Sequence, residues 1–232
     1  MIFKNIWLFI TRKKYIIVAL LGILFICGLI IIPSIKTSVR PKGEFTIVID
    51  AGHGGRDGGS IGVNGSIEKE LNLEYAKSLK KMLTKGGVNV VMTRSTDGGL
   101  YSENADNKKL SDMRKRREII NNATPDLVVS LHMNSFPLDS CKGAKTFYQI
   151  GSDVSFNAAK SIQNSLNYYI DNASKTVSAG DYYILNCTNY TSVLIECGFI
   201  SSPEEEALLN TDSYREEFVY SIYRGIMLYL GI

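Results

Sequence analysis

The stretch FTIVIDAGHGGRDGGSIG, residues 45–62, places an apolar segment directly before a glycine-rich loop. FTIVID (45–50) has the continuous apolar and β-branched character of a strand that is buried on both faces. The loop after it carries His53, one of only two histidines in the chain. Glycine-rich loops after strands often bind phosphate, but this loop matches neither a P-loop nor a Gly-x-Gly-x-x-Gly element that leads directly into a helix. We therefore expect the loop to expose His53 at the end of the strand.

Strand-like and helix-like segments alternate along the rest of the chain. The predicted strands are 45–50, 89–94, 126–134, 144–150, 181–186 and 191–200, and the predicted helices are 67–87, one that ends near 117–122, 153–170 and 213–230. Continuous apolar strands that alternate with amphipathic helices are typical of a sheet covered on both faces. The sequence thus predicts an α/β fold: a single three-layer domain with a mixed, largely parallel sheet of about six strands and helices on both faces.

An uncharged apolar segment, Tyr15–Ile32, precedes this domain and follows the basic residues of TRKK (11–14). As a helix it would span roughly 27 Å, about the thickness of the hydrocarbon layer of a membrane. Basic residues on its N-terminal side favour a cytoplasmic N-terminus. We predict an uncleaved transmembrane signal anchor, because the segment is longer than a signal-peptide core and no Ala-x-Ala site follows it. A cleaved, secreted form is the alternative.

This anchor sets the predicted organisation of the chain. The segments are a cytoplasmic basic N-terminus (1–14), the transmembrane anchor (15–32), a linker (33–44) and a folded domain (45–232) outside the cytoplasm.

The charge balance excludes nucleic acid as a partner of the domain. Residues 1–40 hold six of the 26 Lys and Arg residues and no acid, so the rest of the chain has 20 basic residues against 23 acidic ones. A domain with this balance does not match the charge of a phosphate backbone. The cysteines outside the anchor, Cys141, Cys187 and Cys197, form no thiolate metal motif, and whether two of them form a disulfide stays open.

Three polar residues stand at or near the ends of otherwise apolar strands. His53 follows IVID by two residues, His132 follows LVVSL, and Glu196 lies within VLIECGF. A buried carboxylate is costly unless it is paired, bound to a metal or placed at an open rim, and ligands of α/β sheets collect at the carboxyl ends of strands. Each residue alone is typical of a satisfied core histidine or a buried ion pair. Together, and with both histidines of the chain among them, they predict a metal or catalytic site.

A catalytic zinc site needs three protein ligands, so two histidines require a third ligand, which we expect to be acidic. The helix predicted from Ile67 onward offers Glu68, Glu70 and Glu74. At about 100° per residue, Glu68 shares its face with the apolar residues of this helix, whereas Glu70 and Glu74 lie on the opposite, charged face. Glu68 is therefore the predicted third ligand.

Four segments resemble, in order, the motifs of the zinc-dependent N-acetylmuramoyl-L-alanine amidases of the type 3 amidase family. They are IVIDAGHGGRDGGSIGVNGSIEKELNL, VVMTR, VVSLHMNS and VLIECGFIS, and the resemblance covers nearly all of residues 45–230. Ala51 departs from the family pattern, in which Pro is commonest before the Gly-His pair. The departure involves none of the predicted ligands.

The resemblance implies one zinc ion per chain, held by His53, Glu68 and His132, with Glu196 as the catalytic residue. Glu196 would act as a general base and then as an acid toward the leaving amine of L-alanine. The expected reaction is hydrolysis of the amide bond between N-acetylmuramic acid and the L-alanine of the stem peptide of peptidoglycan.

The remaining polar candidates are Arg94, Arg116, Asn134 and Asp50. Arg94 and Arg116 either bind carboxylates of the substrate or form bridges within the fold. Asn134 is predicted to bind substrate. Asn134 and Asp50 are also the nearest candidates in sequence to accept the second ring N–H of a histidine.

The single catalytic domain and the N-terminal anchor look most like the germination-specific amidases of the family, which act on spore-cortex peptidoglycan. This narrower resemblance implies a role in cortex modification (muramic lactam formation) and germination, with the domain at the cell surface or in the forespore intermembrane space. Three alternatives stay open: another zinc-dependent amide hydrolase of the cell wall such as a peptidase or deacetylase, a vegetative autolysin or cell-separation amidase, and a wall-binding protein without activity. The need for an accessory or activator protein also stays open.

Overall fold

The computed structural model describes residues 43–138 and 141–232. The strands within these ranges are β1 (Thr46–Ala51), β2 (Asn89–Met92), β3 (Leu127–Asn134), β4 (Lys145–Gln149), β5 (Ser178–Gly180) and β6 (Ser192–Phe199). The helices are α1 (Glu68–Lys85), α2 (Lys108–Ala123), α3 (Asp153–Tyr169), α4 (Tyr183–Asn186), α5 (Pro203–Leu209) and α6 (Asp212–Leu230). The predicted anchor at 15–32, the segment before it and nearly all of the linker lie outside the described residues. None of the helices in the described ranges has the length and hydropathy of a membrane-spanning segment.

The six strands form one sheet in the order β2-β1-β3-β6-β4-β5. β1 pairs in parallel with β2 and β3, β3 pairs in parallel with β6, and β4 pairs in parallel with β5. Only the pairing of β4 with β6 is antiparallel. The sheet is therefore mixed and largely parallel, as the sequence predicts.

Apolar side chains on both faces of the sheet explain why the strands read as continuous hydrophobic runs. On β1, Ile47 and Ile49 join the larger core cluster, whereas Val48 joins a second cluster on the other face. Helices α1, α3 and α6 contribute buried residues to the larger cluster, and α2 and α4 contribute to the second. The three-layer arrangement follows, because successive side chains of a strand point to opposite faces.

The segment 181–186, DYYILN, is not a strand, and this prediction is wrong. Its residues 183–186 form the short helix α4, and the edge strand β5 lies just before it at Ser178–Gly180. Short apolar runs do not distinguish a strand from a buried helical turn by periodicity. Here Ile184 and Leu185 are buried against the second cluster, and the Tyr182 ring packs on Phe147 with ring centroids 5.3 Å apart.

The short helix α5 was not among the predicted elements, although its sequence carries start signals. Pro203 occupies the first turn and is followed by three glutamates, which favour a helix N-terminus. The thiols of Cys141, Cys187 and Cys197 are free, so no disulfide joins any two of these three residues.

The order of the central strands fixes the place of the functional residues. β1, β3 and β6 are parallel neighbours, so their carboxyl ends meet at one edge of the sheet. His132 on β3 stands directly beside Glu196 on β6 in the strand register, and His53 follows the end of β1. This edge therefore gathers the polar residues that the sequence singled out.

Candidate metal centre and active site

His53 takes a backbone conformation that few residues other than glycine adopt. Its φ angle is 61°, in the left-handed region, and the next two residues, Gly54 and Gly55, also have positive φ angles of 141° and 59°. These glycines allow the chain to reverse immediately after β1. The imidazole is thereby turned toward the edge of the sheet.

Glu68 is the first residue of α1, and its carboxylate is buried between the two histidines. Its Oε1 atom lies 3.1 Å from His53 Nε2 and 2.9 Å from His132 Nδ1. Its Oε2 atom accepts a hydrogen bond of 2.8 Å from the backbone N–H of Ser60. Burial alone would raise the pKa of Glu68, but hydrogen bonds and charge from both histidines hold that pKa well below its usual range. The inward orientation predicted for Glu68 is confirmed, and Glu70 and Glu74 are exposed as expected.

The donor atoms of His53, Glu68 and His132 converge on one point. One ligand atom from each residue lies within 4.8 Å of the others, and the two imidazole centroids are 5.0 Å apart. Two imidazoles and a carboxylate are a ligand set that suits a divalent metal such as zinc. The side chains present thus fit a metal ion.

Two glycines provide the space for this convergence. A Cβ atom on Gly52 would lie 2.3 Å from two ring atoms of His132. A Cβ atom on Gly59 would lie 2.4 Å from Glu68 Oε2 and 2.8 Å from His53 Cδ2. The glycines of this loop therefore allow the donor side chains to approach one another closely.

Glu196 is buried next to this cluster without a partner for one of its oxygens. Only 8% of the residue is exposed, and its Oε2 atom makes no hydrogen bond within the described part of the chain. Burial raises the pKa of Glu196 to about 7, and the nearby Glu68 charge adds to this effect while His132 and His53 oppose it. A carboxyl group with a pKa near neutrality can accept and release protons at physiological pH.

Asp57 orients His53, a role that the sequence reasoning missed. The Nδ1 atom of His53 lies 2.9 Å from Asp57 Oδ1, and Asp57 also accepts a hydrogen bond from the backbone N–H of Gly59. Burial opposes protonation of His53, but Glu68 and Asp57 raise the pKa of this histidine above its usual value. The signal was an acid four residues after His53 in the same loop.

Asp50 does not orient a histidine. It accepts hydrogen bonds from Thr93 Oγ1 (2.7 Å) and Ser130 Oγ (2.7 Å) and forms an ion pair of 2.6 Å with Arg116. Burial would raise the pKa of Asp50, but Arg116 and the two hydroxyl groups lower it to about 2. Asp50 therefore makes its contacts within the protein interior and not with a histidine.

Arg94 and Arg116 are buried, and their donors point into the fold. Arg94 donates to the carbonyl oxygens of Ala51 and Gly52, both at 2.9 Å. Arg116 pairs with Asp50 and Asp112. Of the two roles that the sequence left open, these contacts favour bridges within the fold. Asn134 lies half-buried at the end of β3, and its predicted role in substrate binding stays a prediction.

An open cleft borders the cluster on the side of α2 and α4. It has a volume of about 290 Å³, and both histidines line it. The other wall includes Lys109, Tyr182 and Tyr183. The imidazole groups of both histidines are therefore accessible from this cleft.

The fold and the site together define a class of protein. An α/β sheet gathers two imidazoles and a carboxylate at its carboxyl edge, with an open cleft in front. Beside them lies a buried carboxyl group, one oxygen of which has no hydrogen-bond partner among the described residues. This arrangement fits the metal-dependent hydrolases, a class in which three protein ligands leave a coordination position open for substrate. Residues 47–227 match the family described as N-acetylmuramoyl-L-alanine amidase (Amidase_3). The chain belongs to this family and is an amidase.

Two relatives illustrate the similarity. The germination-specific N-acetylmuramoyl-L-alanine amidase of Bacillus subtilis (strain 168) is 35% identical over 194 residues, which cover 82% of this chain and 81% of the relative. The N-acetylmuramoyl-L-alanine amidase LytC of the same organism is 30% identical over 208 residues, which cover 85% of this chain but 39% of LytC.

Solved structures agree with the family assignment. The CwlD amidase from Clostridioides difficile, solved in complex with the GerS lipoprotein, superposes with a TM-score of 0.78 at 36% identity, covering 81% of this chain and 98% of CwlD. An N-acetylmuramoyl-L-alanine amidase from Clostridium difficile 630 superposes with a TM-score of 0.74 at 29% identity, covering 82% of this chain and 98% of that protein.

Proposed function

We propose that the protein hydrolyses the amide bond between N-acetylmuramic acid and L-alanine in peptidoglycan, with zinc held by His53, Glu68 and His132 and with Glu196 as the proton-transfer residue. The observation that carries the proposal is the buried Glu196 carboxyl group, whose Oε2 atom has no hydrogen-bond partner among the described residues, beside the three converging donors. When bound, zinc would polarise the scissile carbonyl and lower the pKa of water.

The side chains of this protein would perform the proton transfers and the orientation. Glu196 would take a proton from the attacking water and deliver it to the nitrogen of L-alanine as the carbon–nitrogen bond breaks. The new carbon–oxygen bond leaves a lactyl carboxylate on the sugar and a free amine on the stem peptide. Asp57, 2.9 Å from His53 Nδ1, would keep the other ring nitrogen of His53 turned toward the centre.

Substitution of Glu196 tests this assignment. We expect Glu196→Gln to lower turnover on purified peptidoglycan about 100-fold or more, because an amide cannot accept the proton. Bound zinc, measured by elemental analysis, should be unchanged. Glu204→Gln is the matched control, because Glu204 is an exposed acid with a surface lysine as its partner. Turnover in Glu196→Gln equal to that of the unsubstituted protein would overturn the assignment.

Substitution of the ligands tests the metal separately. His53→Ala and His132→Ala should each lower bound zinc, since each removes one of three donors. Full zinc content in both variants would contradict the proposed ligand set.

The spore cortex is the substrate that we propose among the forms of peptidoglycan. Support comes from the 35% identity to a germination-specific amidase and from the 36% identity to the CwlD amidase. The latter was solved with a lipoprotein, so we also propose that this protein works with an accessory protein outside the cytoplasm. Activity on cortex and on vegetative peptidoglycan, compared with the same enzyme, tests the substrate: equal rates on both would contradict a cortex-specific role.

We further propose that Tyr15–Ile32 anchors the protein in the membrane and that 33–44 links the anchor to the catalytic domain at 45–232. The support is the length and apolar character of the segment and the basic residues before it. Membrane fractionation of cells that produce the full chain tests this: release of the protein by alkaline carbonate would argue against a spanning anchor.

A further inference from the structure

Three consecutive backbone carbonyl groups at the end of β1 are bound by two buried arginines. The oxygen of Ala51 accepts hydrogen bonds from Arg94 Nε (2.9 Å) and Arg116 Nη1 (2.8 Å). The oxygen of Gly52 accepts one from Arg94 Nη2 (2.9 Å), and the oxygen of His53 accepts one from Arg116 Nη2 (2.5 Å). We call Arg94, Arg116 and these three carbonyl groups the carbonyl clamp.

The carbonyl clamp also reaches the helix that carries Glu68. The Nη2 atom of Arg94 donates to the oxygen of Lys69 at 2.7 Å, in the first turn of α1. Asn72, one turn further on, donates to the oxygen of Gly52 at 3.2 Å and to Glu68 Oε1 at 3.3 Å. Arg94 therefore bonds the loop of His53 and the start of the Glu68 helix at the same time.

Burial of two guanidinium groups needs a reason, because a buried charge loses its hydration. Arg116 is fully buried and is neutralised by Asp50 and Asp112, each at 2.6 Å. Arg94 is only 3% exposed, and its N–H groups donate hydrogen bonds to backbone carbonyl oxygens. A guanidinium group offers several donors in a fixed plane, so it can hold carbonyl groups of adjacent residues in one orientation.

We propose that Arg94 and Arg116 are positioning residues for the metal centre: they fix the left-handed backbone of His53 and its distance from Glu68, and thereby set the affinity for zinc. The inference rests on the proposed function, because it assumes that His53 and Glu68 are zinc ligands. It assigns both arginines a role toward the metal site. Arg116 also lines the cleft, but its donors bind Asp50, Asp112 and the carbonyl oxygens of Ala51 and His53. Lysine cannot replace either residue, because a single ammonium group does not reproduce the planar set of donors.

Zinc affinity of Arg94→Lys in the full chain tests the proposal. The dissociation constant would be measured by competition with a chromophoric chelator, and the geometry of the centre by the visible spectrum of the cobalt-substituted protein. Arg215→Lys is the control, because Arg215 forms surface ion pairs with Glu74 and Asp212 away from the site. We expect Arg94→Lys to weaken zinc binding about tenfold to a hundredfold and to alter the cobalt spectrum. The control should change neither.

The outcomes separate this proposal from the proposed function. If the unsubstituted protein binds zinc and Arg94→Lys binds it equally well with the same cobalt spectrum, the positioning role is wrong and the function stands. If the unsubstituted protein binds no zinc, the proposed function itself fails, and the positioning role fails with it. Arg116→Lys is the second variant. Loss of the native circular-dichroism spectrum in both variants would assign the arginines to folding alone and would overturn the inference.

Discussion

Glu196 is an ionisable residue at a buried position. It lies in the carboxyl-terminal half of a buried strand, and one of its oxygens has no hydrogen-bond partner among the described residues. Such a group destabilises the fold when it ionises, because burial removes its hydration. Proteins keep costly groups of this kind mainly where function needs them. This setting agrees with the proposed role in proton transfer.

The cost of Glu196 can be measured as a pH-dependent stability difference in metal-free protein. The pKa of this carboxyl group is 4.5 unperturbed and about 7 in the folded state, so the folded state disfavours the ionised form. Below pH 4.5 the carboxyl group is protonated in both the folded and the unfolded state, so it costs the fold nothing. As the pH rises through 7, ionisation favours the unfolded state and the free energy of unfolding falls. Glu196→Gln does not ionise, so it should become more stable than the unsubstituted protein by about 3 kcal/mol above neutral pH.

Urea unfolding at pH 5 and pH 8, with zinc removed by a chelator, measures this difference. The stability gain of Glu196→Gln should be larger at pH 8 than at pH 5. The same gain at both pH values would show that ionisation of Glu196 costs the fold nothing.

The role of an individual residue could be predicted where the periodicity of a single helix or strand determines which way its side chain points. Glu68 could be distinguished from Glu70 and Glu74 because helical periodicity alone gives its face. Asp57 could not be identified, because its contact with His53 depends on the path of a loop with positive φ angles. The roles of Arg94 and Arg116 depend on the packing of separate elements, which sequence spacing does not give.

At the scale of elements, the glycine-rich loop and α1 present two of the donors, and the start of the loop leaves space for the third donor, His132. Gly52 tests this view, because a Cβ atom there would collide with the His132 ring at 2.3 Å. We expect Gly52→Ala to displace the ring and to lower activity about 100-fold, since displacements near 1 Å have effects of that size. Gly98→Ala is the matched control, because its new Cβ would find its nearest neighbour, Thr96 Oγ1, at 3.6 Å. Equal activity of the two variants would show that the close approach of Gly52 is unimportant.

Helix α5 supports the same loop from the other side. The buried carboxylate of Glu206 accepts hydrogen bonds from the backbone N–H groups of Asn64 (2.7 Å) and Ser66 (3.0 Å), just before Glu68. We expect Glu206→Ala to lower the free energy of unfolding by about 1–3 kcal/mol, because these donors lose their acceptor. Thermal denaturation measures the effect, with Glu204→Ala as the control from the same helix. A smaller loss in Glu206→Ala than in the control would contradict this role.

The errors at this scale also have physical causes. The strands β1, β3 and β6 were predictable because their apolar runs are long and buried on both faces. DYYILN was not, because a four-residue helix leaves no periodic signal and its burial depends on contacts with Phe147 and the second core cluster.

At the scale of the whole molecule, the site results from strand order. Alternating strands and helices predict an α/β sheet, but they do not state that β6 lies beside β3 while β4 and β5 follow outward. That order brings Glu196 next to His132, although the residues are far apart in sequence. The sequence identifies these residues as candidates for a functional site, because each interrupts the apolar pattern of a strand. Only the topology brings them together at one edge.

The identity of the bond that is cleaved tests the central claim most directly. The full chain in detergent would be incubated with purified peptidoglycan in ¹⁸O-labelled water, and the products would be analysed by mass spectrometry. The account predicts new N-terminal L-alanine on released stem peptides and one ¹⁸O atom in the lactyl carboxylate of N-acetylmuramic acid. Cleavage within the stem peptide, or release of labelled acetate, would contradict it.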